Sequence, residues 1–239
     1  MAAFLLVAYC AGSAAGQQGD VNQTLTGSIS PKRVGTPNKP RPATLTLTTT
    51  GDTIPPGGQP PTMTRAVIMF PRGASANGRL FTSCQPARLQ ERGPRGCPRS
   101  SRLGSGSAEG RVGDLIVPAD VDVFNGPRGR SVLFWIQATQ PVSIRAAVVA
   151  PLRRLGGGRY GYRLTFPVPN VIQQPLPGLE TGVTLFRVRV GATRMVRGRR
   201  RGYIETTACP RSGRAPLRGT FSYRAHPDVT VDNTIACSR

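Results

Sequence analysis

Histidine is almost absent. His226 is the only one, so no metal site can be built from several imidazoles, and a Ser-His-acid triad has a single candidate base. Acidic residues are scarce as well, 11 against 32 basic ones, for a formal net charge of +21. Lysine is nearly missing from the basic set, since only Lys32 and Lys39 are not arginine. There is one tryptophan, Trp135, and aromatic content is 6%. That is little material for stacking sugars or single-stranded nucleic acid. No apolar run reaches the ~20 residues of a spanning helix, and no Gly-X-Y period supports a collagen helix. Helical patterning is limited to residues 87–92, where Gly93 and Pro94 stop it. Gly-x-Ser-x-Gly and Gly-x-x-x-x-Gly-Lys are both lacking. Gly104-Ser105-Gly106-Ser107 has neither the spacing of a nucleophile elbow nor the third glycine of a dinucleotide fingerprint. No catalytic residue, metal or cofactor is expected, and the protein reads as non-enzymatic.

What the chain does have is alternation. Leu45 and Leu47 alternate with threonines. Tyr160, Tyr162, Leu164 and Phe166 share one face, and Phe186, Val188 and Val190 oppose Arg187 and Arg189. Phe221 and Tyr223, then Val229, Val231 and Ile235, repeat the pattern of strands with one dry face. Val67–Phe70 and Val132–Ile136 are apolar on both faces and read as central strands. Twenty-nine glycines and 23 prolines punctuate the gaps, as at Asn125-Gly126-Pro127 and Gly156-Gly157-Gly158. Ten to twelve short strands are expected. They predict an all-β fold, an antiparallel β-sandwich of jelly-roll or immunoglobulin-like type with little helix, as one domain over residues 17–239.

Residues 1–16 read as a secretion signal, an apolar run from Ala2 to Ala11 followed by small residues. No Lys or Arg precedes the run, so the signal is expected to be truncated at its start. Tyr9 before Cys10 argues against a lipid anchor. Export leaves Cys84, Cys97, Cys209 and Cys237, an even set that predicts two disulfides. Of three pairings, nearest neighbours (Cys84–Cys97 and Cys209–Cys237) are preferred. Zinc is disfavoured, because no Cys-x-x-Cys spacing exists.

The densest local feature is a basic hairpin loop, with Arg194, Arg197, Arg199, Arg200 and Arg201 between strands ending near Val190 and starting near Tyr203. Guanidinium forks match phosphate and carboxylate, so this loop is the candidate anion-binding site. Glu205 alternates with Ile204 and Thr206 and reads as a surface partner for one of these arginines. Asp120 and Asp122 share a strand face about 7 Å apart and read as a wetted surface, not a catalytic pair. His226, before Pro227, reads as a solvated turn residue.

Several stretches taken together carry a resemblance. They are Phe70-Pro71-Arg72-Gly73, Asn77-Gly78-Arg79-Leu80-Phe81 running to Cys84, Cys97-Pro98, Gly104-Ser105-Gly106 and Phe124-Asn125-Gly126-Pro127. Gly202-Tyr203-Ile204-Glu205-Thr206-Thr207-Ala208-Cys209-Pro210 and Gly219-Thr220-Phe221-Ser222-Tyr223 complete the set. From about residue 21 onward the chain resembles a group of uncharacterised secreted proteins from high-GC actinobacteria of soil. The resemblance implies export and four paired cysteines, and no activity.

These readings lead to an expected function. The protein is expected to be secreted or held in the cell envelope, and to bind an anionic cell-wall polymer or polysaccharide through exposed arginines. Nucleic acid is not expected as a specific ligand. The alternatives are a carbohydrate-binding or carbohydrate-active sandwich and a purely structural envelope module. High-GC coding accounts for the same arginine excess without any ligand.

Overall fold

A computed structural model describes residues 20–239. The expected secretion segment 1–16, with Cys10, lies outside the described residues. Fifteen strands form: β1 Asp20–Ser30, β2 Arg41–Ile54, β3 Met63–Pro71, β4 Ala74–Ala76, β5 Arg102–Val112, β6 Leu115–Asn125, β7 Ser131–Ala138 and β8 Ile144–Arg154. They continue as β9 Tyr160–Pro167, β10 Gly182–Val190, β11 Thr193–Val196, β12 Arg199–Gly202, β13 Ile204–Thr206, β14 Arg214–Tyr223 and β15 Val229–Ala236. Two short α-helices, α1 Pro86–Arg92 and α2 Asn170–Gln173, and four single turns of 3-10 helix interrupt them. The count exceeds the expected ten to twelve because β4 and β13 are three-residue strands and the basic loop pairs with itself as β11–β12.

One antiparallel sheet runs β1-β2-β10-β5-β6-β7-β8-β9-β3-β14-β15, with β13 and β4 extending it beside the start of β2. The consecutive strands β5 to β9 form a meander within it. The sheet curls until its two ends meet, and β1 lies along β15. No strand ladder joins that seam among the described residues. Side chains close it instead: Asn233 Nδ2 donates to the Leu25 carbonyl, and the Tyr223 hydroxyl donates to Gln23 Oε1 at 2.6 Å. The two leaves of the expected sandwich are thus parts of one continuous wall around a shared interior.

Alternation decides what faces inward. Leu25, Leu47, Ile68, Val121, Phe134, Val148, Leu164, Val188, Leu217 and Phe221 point to a common core. On β7 the other face is buried too, as the apolar run predicted. Leu133 and Trp135 pack with Phe124, Leu89 of α1 and the Cys84–Cys97 disulfide. Gly93, at φ +60°, lies against the indole, whose Nε1 donates to Gln137 Oε1 at 3.1 Å. The flap that bears α1 is pinned from below by Asn125, which is fully buried. Its amide donates to the carbonyls of Gly78, Phe81 and Thr82.

Cys84–Cys97 and Cys209–Cys237 are bonded, so nearest-neighbour pairing is correct. They close spans of 13 and 28 residues, and loop-closure entropy makes each worth roughly 3 to 4 kcal/mol. The second ties the chain beyond β13 to the end of β15. No helix among the described residues is long and apolar enough to cross a membrane.

Candidate functional site

Eleven strands make a wall too wide for side chains alone to fill, whereas about eight suffice for a packed interior. Several inward positions are also small, including Ala66, Ala108, Gly110, Ala119 and Ala215. Together these leave an apolar cavity of about 210 Å³ inside the sheet. Ile29, Leu45, Phe70, Leu152 and Val190 line it and keep part of their surface free, although they face the interior. Phe134, Phe166 and Phe186 converge across it from β7, β9 and β10, edge to face, with centroids 5.1 to 5.9 Å apart. Those strands are not neighbours in the sheet, so the rings meet through the middle of the molecule. The three lie in register with Val148, Ala66 and Ala108 on adjoining strands.

The two ends of the cavity differ. Beyond Val168, Ile172 and Thr181 a polar network closes one end. Arg224 donates to Glu180 Oε1 at 2.7 Å and to Gln173 Oε1 at 2.9 Å, and Thr62 donates to Glu180 Oε2 at 2.7 Å. At the other end the lining reaches the surface at Arg72 and Ala208, which are exposed. The turn there requires Gly73, whose φ is +96°, because a side chain would strike the Ala208 carbonyl. Lys32–Gly35 completes this rim through Val34 N–H to the Ser238 carbonyl and Gly35 N–H to the Thr206 carbonyl.

Tyr203 also lines the open end. It is 2% exposed, and its hydroxyl has no partner among the described residues. Burial pushes its pKa well above the ordinary 10, with the neighbouring Tyr162 adding to the effect. A hydroxyl that makes no bond contributes only its burial cost. Tyr203→Phe should therefore leave the thermal midpoint unchanged or raise it, and a melting curve checks this.

The predicted basic loop does form a hairpin. Its turn residues Arg197 and Gly198 have φ of 48° and 73°, the pattern of a type I′ turn. Its five arginines do not act alike. Arg197, Arg199 and Arg200 project into solvent, and Arg200 reaches Thr193. Arg194 bonds the Leu80 carbonyl. Arg201 turns inward onto Glu205, making bonds of 2.8 and 2.9 Å to its two oxygens.

Glu205 corrects the expectation of a surface partner, because it is 1% exposed. Burial alone would raise its pKa, but the Arg201 guanidinium, the Gly202 N–H and Asn77 together hold it below the ordinary 4.5. Glu180 is also held low, chiefly by the Thr62 hydroxyl, against its partial burial and with help from Arg224. Both carboxylates are more acidic folded than unfolded. The stability they add is full above about pH 4.5 and is lost as pH falls through their depressed folded values. Denaturant midpoints should hold from pH 7 to 5 and decline below 4.

The remaining candidates fall on surfaces. Asp122 pairs with Arg102, and among the described residues Asp120 and Asp122 belong to no group of three or more acidic, histidine or cysteine side chains that could hold a metal. His226 is half-buried, edge-on to Tyr223 with centroids 5.5 Å apart. Gly104-Ser105-Gly106-Ser107 lies within β5, against β10. There it helps form an outer groove of about 380 Å³, where Arg187 and Arg189 stand among Ser28, Thr44, Thr46, Ser105 and Ser107. A second hollow, of about 390 Å³, is lined by Arg79, Arg128 and Arg130. None of these five arginines has a carboxylate partner among the described residues.

Sequence reasoning missed the cavity. The available signal was the set of alanines and glycines at inward positions on strands too numerous for a filled core. No family model, no curated protein and no solved structure matches the chain.

Proposed function

We propose that the protein is an exported, non-enzymatic binding protein that encloses an apolar molecule between the walls of its sheet. The observation that carries this reading is the cavity of about 210 Å³, lined almost wholly by aliphatic and phenyl groups and reaching the surface at one end only. Apolar surface left free inside a fold forgoes both hydrophobic and dispersion energy, and an apolar guest recovers them. Export is supported by the two disulfides, which persist in oxidising compartments, and by the apolar segment before residue 17. The neutral fluorophore N-phenyl-1-naphthylamine tests the reading. Its emission should rise and saturate near one equivalent. Emission no greater than with the urea-unfolded protein would overturn it.

A second reading concerns the outside of the wall. Arg187 and Arg189 beside a hydroxyl-lined groove, and Arg79, Arg128 and Arg130 around a hollow, support attachment to an anionic envelope polymer. Retention on heparin and on purified cell wall should fall steeply with salt, because bound counterions are released. It should drop further in Arg187→Ser/Arg189→Ser. Retention equal to that of an unrelated protein of the same charge would remove this reading.

A further inference from the structure

We propose that the guest is a single-chain amphiphile with an anionic head, of the long-chain carboxylate class, seated with its head at the Arg72 rim and its chain against the phenylalanines. This rests on the reading of the cavity as a binding site and adds the chemistry of its occupant.

The lining sets the chain. The walls offer almost no hydrogen-bonding atoms, so a guest rich in hydroxyls would lose its water without replacement. Along β10 the lining runs from Val183 to Val190, about 23 Å by strand rise. A bilayer's hydrocarbon core of about 30 Å holds two chains end to end, so one acyl chain of about 15 Å fits within that length. The Arg224–Glu180–Gln173 network blocks the far end, leaving one way in.

The rim sets the head. Arg72 stands in the lining itself, exposed, with its backbone N–H on the Arg159 carbonyl. Val34, also in the lining, follows Lys32 and Arg33 directly. Arg41 reaches across to the Arg33 carbonyl at 3.2 Å and so stands beside them. None of these four cations has a carboxylate partner among the described residues. Of the acids on this side, Glu205 on β13 is buried and bonded to Arg201, and Asp232 is taken up by Arg159 and Arg218. A carboxylate arriving at the rim therefore meets unpaired guanidinium groups beside an apolar mouth, where its attraction is less screened than in bulk water.

Calorimetric titration of the oxidised protein at pH 8 with dodecanoate and with 1-dodecanol tests the assignment. The two probes share a chain and differ in the charge of the head. Dodecanoate should bind at least fivefold more tightly at low salt, and the advantage should shrink at 0.5 M salt. Arg33→Ser/Arg72→Ser should erase the advantage, bringing dodecanoate to the affinity of 1-dodecanol, and saturable 1-dodecanol binding by the variant shows that its cavity is intact. Equal affinity for the two probes, or an advantage that survives in the variant, overturns the head-group assignment and leaves the cavity reading standing. Failure of both probes to bind overturns the cavity reading and this inference with it.

Discussion

Arg201→Ala is expected to cost about 3 kcal/mol of stability, although it changes a residue in a loop dense with exposed arginines. Removing it leaves the Glu205 carboxylate, 1% exposed, with the Gly202 N–H at 3.1 Å and no cation. Breaking a buried pair from one side is worth about 3 to 5 kcal/mol, and the lower value applies because Arg201 itself is partly solvated. For a domain of this size the melting temperature should fall by roughly 6 to 12 °C. Arg199→Ala, on the same hairpin, should move it by less than about 1 °C. Joint replacement Arg201→Leu/Glu205→Leu should recover most of the loss, since no charge is then left without water or partner. Equal midpoints for Arg201→Ala and Arg199→Ala would show that Glu205 does not depend on this arginine. Any test of the hairpin as an anion site should accordingly change Arg197, Arg199 and Arg200 and spare Arg201.

Ala119→Phe should separate ligand binding from folding. Ala119 faces the cavity opposite Ala108, and a phenyl ring there takes space that a guest would use. The affinity for N-phenyl-1-naphthylamine should fall at least tenfold. The melting temperature of the free protein should stay level or rise, because filling a void restores packing lost to it. In the parent protein a guest at a hundred times its dissociation constant adds about 2.7 kcal/mol, which corresponds to roughly 5 to 10 °C. That increment should vanish in the variant. An unfilled variant site, seen as an unchanged ligand-induced increment, would place binding elsewhere on the molecule.

The strands were readable from residue order because side chains alternate with a period of two. Tyr160 to Phe166 and Phe186 to Val190 show it directly, and the double-faced apolar run around Trp135 correctly marked a central strand. The two disulfides followed from four cysteines and short spans. Curvature was not readable. Alternation states which side chains share a face, but not whether that face is flat or wraps around a void. Glu205 misled for a related reason. A carboxylate between Ile204 and Thr206 looks like a wet position, and only the backward fold of Arg201 across the hairpin buries it. Asn125 looked like part of a turn with Gly126 and Pro127. It is instead the post on which the Cys84 flap rests, through carbonyls more than 40 residues away in the chain.

The flap has a practical consequence for optical work. Trp135 is the chain's only indole, and it points away from the interior, under Gly93 and against Leu89 and the Cys84–Cys97 bridge. Phe134, its neighbour in the chain, faces the opposite way. Intrinsic emission excited at the indole band will thus follow the fit of the outer flap, shifting to the red when the Cys84–Cys97 bond is reduced and the cover lifts. A guest that does not absorb at the indole's emission wavelengths, such as dodecanoate, will leave that emission where it was when it enters behind the sheet, so a silent tryptophan signal during its titration reports which side of the wall the indole occupies and not an empty protein.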